Sequence, residues 1–192
     1  MIRTENFEQV QVASQAELRA WLQQNHAQAE SIWLVTFKKE VPDKYISTSE
    51  VLDELLCFGW IDGIRRKLDE TRTMQLISPR KTRHWTKTYK VRAQKLIEQE
   101  LMQAPGYASI EAGKQSGLWH FMDDVDALII PKDLEQALKQ KPEAFDFFVN
   151  INPSSKRFVL RWLKLSKTEK TRQKRIDQLV SLSARGEKLK GT

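Results

Sequence analysis

A single cysteine in 192 residues excludes an internal disulfide, so nothing in the chain calls for an oxidising compartment. Long apolar runs are missing too. The best of them end quickly, at Pro131 after "ALII" and at Arg161 within "FVLRWL", far short of the roughly 20 residues of a membrane-spanning helix. The opening "MIRTENFEQVQVAS" has no signal-peptide core, and the expected location is the cytoplasm. Histidine is scarce. His26, His84 and His120 are far apart and show none of the spacing of a helical zinc site. A glycine-rich phosphate loop, a nucleophile elbow and a suggestively spaced carboxylate pair are all lacking. From these absences the reading expects no metal and no cofactor, and a binding protein more readily than an enzyme.

Glycine (7) and proline (6) are few, while hydrophobic residues make up 40% and charged residues 30%, a composition that builds a globular core. Net charge is +7 but unevenly placed. Residues 1–70 carry 8 Lys/Arg against 12 Asp/Glu, and residues 98–155 carry 4 against 10. Residues 71–97 carry 8 and no acid, and residues 156–192 carry 12 against 3. A locally basic face attracts phosphates or nucleic acid; a solvated helical surface explains the same charge without any ligand.

The spacing predicts an N-terminal helix capped by Ser14 and Glu17, with Leu18, Trp21 and Leu22 inward. A strand follows between Ser31 and Lys39, then a loop around Pro42. A second capping box, Ser47 to Glu50, opens a helix with Val51, Leu52, Leu55 and Leu56 inward. Gly59 ends it in a positive-φ conformation, and the chain returns as a hairpin built from "WIDGIRRKL" and "TMQLIS". A basic helix over 85–103 is expected to bury Val91, Leu96, Ile97 and Leu101, with "APG" interrupting it before a helix near 107–118. Prolines 131, 142 and 153 start three short helices, Pro131 in the first helical position. Ser166 and Glu169 cap the last helix, which Gly186 ends. The expected fold is α+β: a small antiparallel sheet packed with helices over residues 1–120, followed by an all-helical module over 121–192.

The densest stretch is "CFGWIDG", residues 57–63. Asp62 reads either as a turn-forming side chain or as a carboxylate that orients Arg72 or Arg80 across the hairpin. Trp60 and Trp85 either fill the core or flank a flat ligand. Cys57, on a leucine-rich helix face, reads as a buried, inert thiol. The acid-free segment sets Arg80, Lys81, Arg83, Lys87, Lys90, Arg92 and Lys95 around Trp85 and Tyr89, a mixture of phosphate-gripping cations and stacking rings. The alternative is that these cations pair internally with the acidic regions, as Arg172 and Arg175 do if they bridge to Glu169 or Asp177.

The order of "IWLVTFKK", "LCFGWIDG", "SPRK" with a nearby tryptophan, "IPKDLEQAL" and "SKTEKTRQKRI" resembles the YdeI/OmpD-associated, or bacteriocin-protection, family. The resemblance implies a link to bacteriocin or antimicrobial-peptide protection, and by name to an outer-membrane porin. The family's serine before the tryptophan and asparagine after it are replaced here by His84 and Tyr89. Three functions follow. The first is a non-enzymatic binder of an anionic ligand, with Trp60, Asp62, Arg72, Arg80, Trp85 and Lys87 lining the site. The second is a nucleic-acid binder using segments 71–97 and 156–192, through Arg83, Lys90, Arg92, Lys95, Arg172 and Arg175. The third is a small enzyme with Asp62 as general base and Arg80 as anion clamp.

Overall fold

The structure, a computed structural model, describes residues 7–81 and 84–189. The chain divides into two compact units, residues 1–120 and 121–192.

The first unit combines a four-stranded sheet with helices. Strand β1 (Gln9–Gln11), helix α1 (Gln15–Asn25) and strand β2 (Ile32–Phe37) are followed by a 3-10 turn at Pro42–Lys44. Helix α2 (Thr48–Cys57) and the hairpin β3 (Trp60–Lys67) and β4 (Arg72–Pro79) come next, then helices α3 (Lys87–Glu98) and α4 (Ala104–Gln115). The spatial order is β1-β2-β4-β3. Three strands are antiparallel as expected, but β1 runs parallel to β2 and was not foreseen, being only three residues long. Strand β2 is buried along both faces from Ile32 to Thr36, which is why it reads as a continuous apolar run.

One face of the sheet carries Ile32, Leu34, Ile77 and Trp60, which join Leu18, Leu22, Val51, Leu55 and Leu56 of α1 and α2 in the core. Both helices start where their caps require. The Ser14 side chain accepts from the Glu17 backbone, and Ser47 and Glu50 form a reciprocal capping box. Gly59 takes φ +70°, turning helix directly into strand, and a side chain there would lie 2.7 Å from the Pro105 carbonyl.

The inward face of α3 differs from the expected one. Tyr89, Ala93, Leu96 and Ile97 turn inward, while Val91 is 61% exposed. At 100° per residue Tyr89, Ala93, Leu96 and Ile97 fall within an arc of about 100°, and Val91 lies on the opposite side of the helix. Leu101 lies beyond the helix, because Glu100 adopts φ +57° and ends it. Helix α4 begins at Ala104, not 107, since Pro105 is tolerated in a first turn where no backbone donor is needed.

The second unit is all helical: a single turn α5 (Asp123–Asp126), then α6 (Lys132–Lys139), α7 (Pro142–Asn150), α8 (Pro153–Lys164) and α9 (Glu169–Ala184). Leu134, Leu138, Phe148, Val159, Leu160, Leu163, Ile176 and Leu179 form its core. Pro131 is the N-cap of α6 and not its first residue. Thr168, not Ser166, caps α9: its hydroxyl accepts from the Thr171 backbone, while the Ser166 hydroxyl donates back to Leu163. Among the described residues no helix is long and apolar enough to cross a membrane.

Candidate ligand-binding site

The end of the sheet where β3 begins and β4 ends brings the "CFGWIDG" stretch against the basic segment. The Arg80 backbone donates to the Gly59 carbonyl at 2.9 Å, and Trp60 pairs with Pro79. A register shift between Asp62 and Arg65 marks a bulge just past this point, the kind of irregularity that re-aims a side chain.

Asp62 is half-buried and accepts from the Tyr89 hydroxyl and from the Gln75 amide at 3.5 Å. Arg65 donates to Gln75 at 3.0 Å and to the Thr48 hydroxyl at 2.9 Å. A directional polar chain thus runs from Arg65 through Gln75 to Asp62, with Tyr89 closing it from α3. Beside it the Arg80 guanidinium lies 4.2 Å from the Trp85 ring centre and 5.1 Å from that of Tyr89, with Nε and Nη2 buried. Trp85 in turn meets Trp119 at 4.9 Å, and the ammonium groups of Lys90 and Lys114 lie over Trp119 at 5.4 and 5.9 Å. The Trp85 indole rests on α4 at Gly113, where a Cβ would come within 2.5 Å of its Nε1. The result is a ladder of rings and cations, Tyr89, Arg80, Trp85, Trp119, Lys90 and Lys114, held on one side by Asp62. Cation–aromatic contacts of this kind contribute about 0.5–2 kcal/mol each as water is excluded.

Of the residues read from the sequence, Asp62, Arg80 and Trp85 meet here, and Lys87 sits exposed at the start of α3. Trp85 is 1% exposed, so its faces serve the ladder. Trp60 is also 1% exposed: its indole nitrogen donates to the His26 carbonyl at 3.1 Å and its ring meets Trp21 edge-on at 5.6 Å. It is a core residue and lines no groove. Arg72 stands at the opposite end of β4, paired with Asp69 at 2.7 Å and with Gln11, about 24 Å along the strand from Pro79. That pairing, led by the Arg72 side-chain hydrogen bond, holds the Asp69 carboxyl down at about 2.

The cations read as nucleic-acid contacts are largely engaged within their own units. Arg92 pairs with Asp53 at 2.6 Å and donates to the Ser49 hydroxyl at 3.0 Å. Arg172 forks onto Asp133 at 2.6 and 2.9 Å, which lowers the Asp133 pKa and raises that of Arg172. Arg175 donates to the Trp162 carbonyl and stacks 4.6 Å over the Trp162 ring. Lys95 is exposed on α3, and Arg83 lies outside the described residues. Cys57 is 1% exposed, and burial, reinforced by Glu54, pushes its thiol up to about 11. No group of three or more His, Cys, Asp or Glu positioned for a metal occurs among the described residues.

Gln75, Arg65 and Trp119 were not anticipated. The alternation of β4 places Gln75 on the same face as Ile77, facing Asp62, so a strand register would have found it; Trp119 carried no local signal.

Residues 10–109, over half of the chain, match the family model described as Domain of unknown function (DUF8412). The chain belongs to that family. Residues 127–186 match a second model, Bacteriocin-protection, YdeI or OmpD-Associated. The motifs behind the family resemblance therefore divide. "CFGWIDG" and the ladder members Arg80, Trp85, Tyr89 and Lys90 lie in the first domain, Lys114 and Trp119 follow it, and "IPKDLEQAL" and "TRQKRI" lie in the YdeI/OmpD-associated domain. No curated protein and no solved structure matches the chain.

Proposed function

We propose that the DUF8412 domain is a non-enzymatic module that binds an anionic ligand beside the Arg80 ladder. The carrying observation is the convergence of Arg80, Lys90 and Lys114 on rings packed in or against the core, with Asp62 already occupied by Tyr89 and Gln75. The start of α3 supports the same reading. Its first turn contains Lys87 and no acid, and the Thr86 side chain makes no capping bond, so positive backbone charge adds to that of the lysine. Within this reading Asp62 is a positioning residue for Tyr89 and not a general base. The YdeI/OmpD-associated domain connects such binding, by its family name, to bacteriocin protection.

The test is thermal unfolding of the full chain against a panel of phosphorylated and carboxylated metabolites. A ligand at about 100 times its Kd stabilises the folded state by about 2.7 kcal/mol, a readily measured shift. The expected result is a hit whose shift disappears in Lys87→Glu and Arg80→Gln and persists in Lys139→Glu, a surface lysine of the other unit. A hit that survives both substitutions, or a panel without hits, refutes the proposal.

A further inference from the structure

The second basic segment presents a different face from the one its arginines at 172 and 175 suggest. Residues 147–168 contain five Lys/Arg and no acid. Two of the five are engaged, Lys156 with the Val149 carbonyl at 2.9 Å and Lys164 with Asp124 at 2.5 Å. Arg157 and Arg161 are exposed and make no hydrogen bond or ion pair among the described residues. They are one turn apart on α8, about 5–6 Å at the Cβ atoms, and Phe158, 43% exposed, stands beside them. At 100° per residue, Ser154, Arg157, Phe158, Arg161 and Leu165 fall within an arc of about 100°, opposite the buried Val159, Leu160 and Leu163. All five point to solvent.

Such a face is costly to leave idle in one respect only: an exposed phenylalanine beside two arginines gains nothing from the core, since the helix already buries its other side. Charge complementarity calls for an anionic partner. A helix with no acid of its own and two adjacent guanidinium groups suits consecutive phosphates, which arginine grips through paired N–H donors. An exposed aromatic ring beside them suits an unstacked base. A lipid surface fits less well, because the apolar residues of α8 face inward and only Phe158 and Leu165 remain for insertion. We infer that the outer face of α8 binds single-stranded nucleic acid, with Arg157 and Arg161 on successive phosphates and Phe158 stacked on a base. This surface is independent of the Arg80 site.

The experiment is fluorescence anisotropy of a labelled oligothymidylate, about 20 nucleotides long, with the full chain. Two phosphate contacts predict a loss of about sevenfold in affinity between 50 and 200 mM salt, through a slope of about −1.4. Arg157→Gln with Arg161→Gln should remove that slope, and Phe158→Ala should weaken binding by roughly 5- to 150-fold. These side chains are exposed, so both variants retain the fold, checked by circular dichroism. Lys132→Gln with Lys141→Gln, on other surfaces of the same unit, should leave affinity within about twofold. Absence of binding at 50 mM salt overturns the inference. So does an equal loss in the lysine control, which marks diffuse charge attraction, or full affinity in Phe158→Ala, which removes stacking. Tighter capture of anionic vesicles or a polyglutamate peptide by the same residues overturns it in favour of a lipid or an acidic peptide.

Discussion

Gly59 joins α2 to β3 under two separate constraints, and a pair of glycine substitutions separates them. Its φ of +70° costs any L-residue about 1–2 kcal/mol. In addition, a Cβ would sit 2.7 Å from the Pro105 carbonyl and 3.1 Å from the Ser109 side chain, an overpacking worth about 1–3 kcal/mol. Gly117 carries the first constraint alone, with φ +75° and nothing within 4 Å of its Cβ position. Replacing either glycine by alanine reduces the freedom of the unfolded chain by the same amount, so that contribution cancels in the comparison. Gly59→Ala should therefore be less stable than Gly117→Ala by about 1–3 kcal/mol. Urea unfolding followed by tryptophan fluorescence reads this directly, because five of the six tryptophans lie in residues 1–120. With a slope of about 1–3 kcal/mol/M, the two midpoints should differ by on the order of 1 M. Equal midpoints would refute the claim that α4 packs against the helix-to-strand corner.

Glu54 is 2% exposed and accepts from Arg19 at 2.9 Å and Gln15 at 2.7 Å, so Glu54→Ala should cost about 3 kcal/mol, and the double change Arg19→Met, Glu54→Leu should cost less, as measured by denaturant unfolding. Equal losses would argue against a buried ion pair held by its partner. The Cys57 thiol, pushed up to about 11 and covered by the core, should stay unreactive toward a disulfide reagent at pH 8 until the unit unfolds; reaction at the rate of a free thiol would contradict its placement. Because hydrogen bonding, led by Arg72, lowers Asp69 to about 2, the stability it contributes should be present above about pH 4 and lost as pH falls toward 2. A carboxylate titration by NMR with a midpoint near 4 would remove that effect.

Local physics made much of this protein legible before any coordinates. Ser14, Ser47 and Gly59 each carry a capping or chirality requirement that is satisfied within four residues, and the helix and strand boundaries at α1, α2 and β3 follow from them. The same is true of Cys57, whose burial is implied by the leucines on its own helix face. Where a decision depended on a partner far along the chain, the sequence left it open. Val91 is not such a case: at 100° per residue it lies opposite Leu96 and Ile97, with Ala93 between them, so the helical period already sets it on the outer face of α3. Asp62 had two local readings, a turn residue first and a presented carboxylate second, and only the folded unit brings Tyr89 and Gln75 onto it. The arginines diverge for the same reason. Arg92, Arg172 and Arg175 have acids or carbonyls within reach in the folded units and are taken up by them, while Arg157 and Arg161 face solvent, although all five look alike in sequence. Charge and capping are properties of neighbours along the chain, so the sequence determines them; which cation is engaged and which is left facing solvent is a property of neighbours in space, and tertiary packing alone decides it.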